Sequence, residues 1–470
     1  MTADAPSPPH FNSRQRIVLL VLLGAGFMVS VDFSILNVAL PETGAGVGMK
    51  VADLPWITSA YTLPSAGFAL LFGRFADLFG RRKLFMVSMV LLTGASLLGG
   101  LASSPGVLLT ARALQGVATA MALPAALSLL TTTFAEGAMR ERALGLNGAL
   151  LSGGFTVGAL VGGTLVSLLS WRAAFLINIP VAVLVLSCTP FVIGESRLPE
   201  RVKLDLPGAI TVTGGLLAVV YAVVERSIVA ALVGVVLLAL FSVIEVLASA
   251  PLAPVRILRR PTVMWGNYAG LVLFTMETGM IFLMTLFLQR ILGFSPLITG
   301  LVFGVPGLAA VGAGVIAGRL VGRFDGRRVL ATAMLVQGVA ILPLVFLDAH
   351  RTAVAMLVPA LFVGFFGHVA AIVAYTVTGT SGLPDEEQGL ATGLTTMTQQ
   401  VAVSIGIPIL SAVAATRSAE LAGIHLALSV DVAVTLVSVV VVWFGLRPGR
   451  TTPAVRVPAG AGESLTASSG

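Results

Sequence analysis

Gly73-Arg74-Phe75-Ala76-Asp77-Leu78-Phe79-Gly80-Arg81-Arg82-Lys83 stands between two long apolar runs and packs one acid, four bases and two glycines into a short turn. Irregular backbone exposed to hydrocarbon has nothing to satisfy its N–H and C=O groups, so a charged turn of this kind belongs at a membrane surface. Lys and Arg accumulate in short cytoplasmic loops, and the four bases put the turn on that side. The rest of the topology is counted outward from it.

Composition points the same way. Hydrophobic residues make up 57% of the chain and charged residues 10%, with mean hydropathy +1.00. Soluble domains carry about 25% charge, which sets the chain among polytopic membrane proteins. A helix needs about 20 apolar residues to cross the hydrocarbon. Runs of that length fall near 17–40, 52–72, 84–103, 107–130, 142–167, 173–194, 208–224 and 229–249. Six more fall near 263–287, 297–319, 328–347, 352–378, 390–415 and 427–446, so about fourteen spans are expected. Barrel strands are far shorter, alternating segments. With the N-terminus inside, about 21 of the 28 Lys and Arg are cytoplasmic, so the net charge of +7 reports topology, not nucleic-acid binding.

The single cysteine, Cys188, excludes an internal disulfide and a thiol metal site, and it reads as packing. No cofactor is expected. No G-x-x-x-x-G-K-[ST] loop is present, so ATP is not expected to drive the protein. The expected partners are a small-molecule substrate, protons and the lipid bilayer, with the protein acting as a monomer. Residues 1–13 read as a polar tail without a cleavable signal, and the last fourteen or so residues read likewise.

A weaker echo of the opening stretch, Gly318-Arg319-Leu320-Val321-Gly322-Arg323-Phe324-Asp325-Gly326-Arg327-Arg328, begins 245 residues later. It has one extra residue, with Gly322 in the place of Asp77, and reads either as a matching loop in a second half or as a generic basic turn. The first copy resembles the G-x-x-x-D-x-x-G-R-[RK]-[RK] loop between the second and third helices of the major facilitator superfamily of secondary transporters. That resemblance implies an all-α fold of two six-helix bundles that rock about a central site. Fourteen spans then place an inserted helix pair between the bundles, as in the superfamily's fourteen-helix drug:proton antiporter branch. Asp32-Phe33-Ser34-Ile35-Leu36-Asn37-Val38-Ala39-Leu40-Pro41, Trp56-Ile57-Thr58-Ser59-Ala60-Tyr61, and Leu288-Gln289 followed by Gly293-Phe294-Ser295-Pro296 and Gly300 resemble that branch too. The expected organisation is a cytoplasmic tail at 1–16, a first bundle at 17–194, and a linker with the inserted pair at 195–262. A second bundle follows at 263–446, and a cytoplasmic tail at 447–470.

Ionisable residues inside the bilayer carry the mechanism, because a charge at a helix centre costs about 2.5–3.5 kcal/mol and needs a partner, water or a proton. Asp32 lies in the outer half of the first span, where it reads as a proton carrier or as an acid satisfied by Ser30 or Ser34. Glu277 lies in the ninth span, the symmetry mate of the first, as a cation or proton site or as a partly hydrated acid near a bend at Gly279. Arg112 and Gly116 resemble the superfamily's R-x-x-x-G element, which implies that Arg112 takes part in proton coupling by holding a carboxylate ionised. Its alternative is a structural cation on backbone carbonyls. Glu245 reads as packing or interfacial snorkelling, Asp431 as an acid reaching water at the outer end of the last span, and His368 as a packing histidine.

Gly154, Gly158, Gly162 and Gly163 form a stripe that lets a neighbouring helix approach closely. The stripe resembles the antiporter motif G-x-x-x-G-P-x-x-G-G, with Ala159 in place of the proline. Gly73, Asp77, Gly80, Arg81 and Arg82 are implied by the loop resemblance to gate the bundles. Asn147, Asn178, Asn267, Tyr268, Gln399 and Gln400 are candidates for a polar cavity wall. Met276, with Met280, Met284, Phe274 and Phe282, reads as a compliant substrate pocket or as ordinary packing. The expected function is export of hydrophobic or amphipathic compounds (drugs, antibiotics or related metabolites) in exchange for protons. The alternatives are an importer or facilitator of a small metabolite and, from another class, a membrane scaffold or lipid-modifying enzyme.

Overall fold

In a computed structural model the long apolar runs are helices that stop where the sequence supplies caps, prolines or glycines. The structure describes residues 11–134, 138–196, 205–225, 227–248, 257, 259–380 and 385–446, and no strand occurs among them. Both expected tails and most of the 195–207 loop lie largely outside the described residues. So do some side chains within helices, Arg74 and Asp77 among them.

The first half contains α1 (Ser13–Gly46), α2 (Pro55–Phe79), α3 (Arg81–Gly100), α4 (Pro105–Thr133), α5 (Ala138–Leu168) and α6 (Asn178–Val192). Next come α7 (Leu206–Glu225) and α8 (Ile228–Leu247). The second half contains α9 (Pro261–Leu286), α10 (Pro296–Arg323), α11 (Gly326–Ile341), α12 (Val354–Thr380), α13 (Asp385–Ala414) and α14 (Glu420–Gly445). Eleven described helices are long and apolar enough to cross a membrane. The other three expected spans fall on α2, α5 and α7, each of which has side chains outside the description.

Local chemistry sets the boundaries. Asn12 and Gln15 form a reciprocal capping box, so α1 starts inside the stretch expected to be tail. Ser227, Ser295 and Asp325 accept backbone N–H groups at the starts of α8, α10 and α11. Proline occupies the first turn of α2, α4, α9 and α10, where its missing N–H is no loss. Gly80, at φ +109°, makes the break between α2 and α3 that a side chain would strain.

The two halves repeat one packing scheme. α1 packs on α5 and α6, α2 on α4, and α3 on α4 and α6. In the second half α9 packs on α13 and α14, α10 on α12, and α11 on α12 and α14. The halves meet along two seams of the same kind, α5 against α10 and α2 against α13. α7 and α8 pair with each other, and α7 covers the α2/α13 seam. The far side of α8 exposes Val229, Leu232, Val233, Val235 and Val236, as a lipid-facing helix must. α9 is its opposite, buried at every position from Val272 to Leu286.

Candidate functional site: buried acids in two matching bundles

Asp32 enters the first bundle from α1 and meets Arg112 from α4. Arg112 Nη1 donates to Asp32 Oδ2 at 3.1 Å and to Gln115 Oε1 at 2.7 Å, and Nε donates to the Ile57 carbonyl at 3.2 Å. The guanidinium also lies 4.2 Å from the centre of the Tyr61 ring, whose hydroxyl pairs with Thr119. Asn178 of α6 donates to the other Asp32 oxygen at 2.5 Å, and Gln115 donates to Ser96 of α3 at 2.9 Å. Asp32 and Arg112 are both buried, so the pair is held where screening is weak. Asp32 thus accepts hydrogen bonds from Arg112 and Asn178, where the sequence suggested Ser30 or Ser34. Asn178, expected on a cavity wall, is instead one of its two hydrogen-bond donors.

The helix packing explains how these groups converge. A Cβ at Gly154 would stand 2.8 Å from Ser30 Cβ, at Gly158 2.7 Å from Ser34 Cβ, and at Gly162 2.8 Å from Ile35 Cα. The stripe therefore brings α5 against the segment of α1 that carries Asp32. Gly163 faces the other way, where a Cβ would stand 2.5 Å from the Pro296 carbonyl of α10. Gly116 leaves room for the Tyr61 carbonyl, which a side chain would strike.

The second bundle assembles a different set. Gln337 Nε2 of α11 donates to Glu277 Oε2 at 3.2 Å, and His368 Nδ1 of α12 lies 3.8 Å from the same oxygen. The His368 ring stands edge-on to Phe274 at 5.6 Å. Asp431 lies on α14, which packs against α9, and accepts a hydrogen bond from Thr435 at 3.3 Å. Glu277, Gln337, His368 and Asp431 are all buried. Two expectations change here. Asp431 does not reach water, because α14 turns it into the bundle, and His368 faces an acid instead of only packing. Gln337 was not singled out from sequence, and its place on the third helix of the second bundle is the signal that would have found it. Glu245, expected to pack or to snorkel, is buried.

The candidate wall residues make their described bonds in different places. Asn267 bonds to Thr398 at 2.8 Å and Tyr268 to Ser438 at 2.9 Å, both within the second bundle. Gln400 reaches across the seam to Ser65 of α2 at 2.8 Å. Asn147 and Gln399 are half-buried. Met276 is buried with Met280, Met284, Phe274 and Phe282 in the main apolar core, so these residues pack rather than line an opening.

The opening stretch ties to the end of α6. Glu195 accepts the backbone N–H groups of Arg82 and Lys83 at 3.1 and 3.3 Å, an anion at the N-terminus of α3. Arg81 donates to Ser196 and Arg82 to the Ile193 carbonyl. In the echo, Asp325 caps α11 and the Arg327 guanidinium lies 4.1 Å from the Trp443 ring centre.

Comparison with known proteins agrees with this architecture. The chain is 35% identical over 90% of its length, and 90% of the relative's, to the puromycin resistance protein pur8 of Streptomyces alboniger. It is 36% identical, with the same coverage, to the cephamycin export protein CmcT of Amycolatopsis lactamdurans. Multidrug resistance protein Stp of Mycobacterium tuberculosis is 31% identical over 86% of this chain and 76% of its own. Among solved structures, the human organic anion transporter MFSD10 (TETRAN) matches with a TM-score of 0.62 at 17% identity, covering 92% of this chain and 100% of that one. That likeness supports the fold. The family model described as Major Facilitator Superfamily matches residues 22–407. With the repeated helix packing and the apolar spans already described, these matches identify the chain as a multi-pass transporter of the cell membrane that belongs to the Major Facilitator Superfamily.

Proposed function

We propose that the chain exports hydrophobic or amphipathic compounds from the cytoplasm in exchange for protons. The observation that supports the coupling is that Glu277 is buried in the membrane-spanning part with no Lys or Arg partner among the described ion pairs, where a fixed charge is costly. The direction rests on the relatives, two of which are named for resistance and one for export. The seams fit a cytoplasmic entry. Gln289 donates to the Val38 carbonyl, Leu297 N–H to Ser167, and Ser59 to the Ser404 carbonyl. On the orientation set by the basic loops, these bonds join the outer halves of the bundles. Gly73, Asp77, Gly80, Arg81 and Arg82 are proposed to govern the opposite, cytoplasmic closure, with Asn147, Asn267, Tyr268, Gln399 and Gln400 nearer the substrate path.

The test is growth of an efflux-deficient host expressing the chain on puromycin, a cephamycin and lipophilic cationic dyes, paired with dye efflux with and without a protonophore. Increased resistance to at least one compound and efflux lost with the protonophore are expected. Uptake in place of efflux, or efflux untouched by the protonophore, contradicts the reading. Asp77→Asn at equal expression should cut efflux strongly, and parent-level efflux would reduce that loop to a topological anchor.

A further inference from the structure

The two acid sites draw on the same-numbered helices of the repeat. Asp32, Ser96, Arg112 and Asn178 come from the first, third, fourth and sixth helices of their bundle. Glu277, Gln337, His368 and Asp431 come from the first, third, fourth and sixth helices of theirs. The second set thus has a titratable histidine where the first has a permanent cation, and a second acid where the first has an amide.

Hydrogen-bond accounting separates them further. In the first set one buried acceptor, Asn178 Oδ1, lacks a hydrogen bond, but both oxygens of Asp32 have one; in the second, Glu277 Oε1, Gln337 Oε1 and Asp431 Oδ2 all lack one, as does His368 Nδ1 beside them. Such atoms give up hydrogen bonds to water without gaining one inside the protein, which favours any change that supplies a donor. The cluster has a surplus of acceptors and a shortage of donors. A proton added to either carboxyl turns one acceptor into a donor and removes one negative charge. The neighbouring helices supply no competing cation at this level. α12 adds only Tyr375, which donates to the Thr395 carbonyl, and α13 has no ionisable residue from Met397 to Ala414. On α14, His425 bonds to the Leu347 carbonyl, and Arg290 near the end of α9 pairs with Glu420. Across the bundle interface, Asp32 is already held by Arg112.

We propose that Glu277 and Asp431, with Gln337 and His368, form a proton-binding site shared by the two carboxyls. This site gains and loses a proton while the Asp32–Arg112 pair keeps its charges. Its use in coupling rests on the export reading, but its binding of a proton does not.

The test is infrared difference spectroscopy of the full-length protein in lipid nanodiscs during a pH titration, following the protonated-carboxyl C=O band. The parent should show a titrating band that at least halves in Glu277→Gln and is lost or moved by about one pH unit or more in Asp431→Asn. Asp32→Asn should keep it. Gln337→Ala retains both acids and should shift the band's midpoint, which keeps the test decisive if a carboxyl variant does not fold. A band unchanged in Glu277→Gln and Asp431→Asn, or an unmoved midpoint in Gln337→Ala, overturns the site. A sodium-dependent, pH-independent band overturns it too. A titrating band that behaves as described, together with efflux indifferent to a protonophore, supports the site and contradicts the export coupling instead.

Discussion

The first bundle buries one acid against one base with a hydrogen bond made to each carboxylate oxygen, whereas the second buries two acids beside a histidine and leaves one oxygen of each carboxyl unpaired. The same repeated scaffold therefore supports two kinds of electrostatics. A closed ion pair is neutral as a unit and resists change, because removing one partner strands the other in a medium that cannot solvate it. A set of acids with no fixed cation is free to change its charge by one proton. For the proposed exchange, the first arrangement suits a fixed joint and the second a site that loads and unloads.

The largest difference between the bundles should appear in stability. Arg112→Met leaves Asp32 buried without its cation and should cost about 3–5 kcal/mol. Glu277→Gln removes a charge that no Lys or Arg of the described ion pairs balances, so its cost should stay within about 1 kcal/mol. Thermal unfolding of the purified variants measures both, and equal losses would erase the proposed asymmetry.

A middle-sized effect should be the same in both bundles, because it tests the shared scaffold. A Cβ at Gly158 would meet Ser34 and the Val31 carbonyl at 2.7 Å, and one at Gly406 would meet Thr278 Cβ at 3.1 Å as well as the Thr275 carbonyl. Gly158→Leu and Gly406→Leu should each lose about 1–3 kcal/mol through overpacking. A large loss in one and none in the other would mean that the α1/α5 and α9/α13 contacts are not equivalent.

The smallest effect concerns the seam between bundles. Gln400→Ala removes its bond to Ser65, a term of about 0.5–1.5 kcal/mol. A cysteine introduced at Ser404 should then react with an impermeant external thiol reagent a few times faster, after Cys188 is replaced by alanine. An unchanged rate would show that this bond does not hold the outer seam.

Much of this was legible in the sequence, and the rest was hidden for identifiable reasons. The charged turn at Gly73–Lys83 and the length of the apolar runs decide the fold class, since both are local properties. The glycine stripe of α5 was readable as a close helix contact, although not that its partner is α1. Asp32 and Arg112 were each notable as charges in apolar helices. Their contact spans 80 positions and depends on the way α1, α4 and α6 converge, which no local pattern records. Asp431 and His368 misled because a single helix does not reveal which of its faces points inward. Numbering the helices of the second half against those of the first would have shown only that Asp431 and Asn178 share the sixth helix and His368 and Arg112 the fourth. Gln337, a neutral residue, gave no other signal.

On the proposal above, the second bundle and not the Asp32–Arg112 pair carries the exchanged proton. The direct measurement is dye transport into inverted membrane vesicles driven by an imposed pH gradient, compared with downhill dye movement without one, in the parent and in Glu277→Gln. Glu277→Gln should retain downhill movement and lose gradient-driven accumulation. Accumulation at the parent rate, still abolished by a protonophore, would contradict the proposal and return the proton to the first bundle.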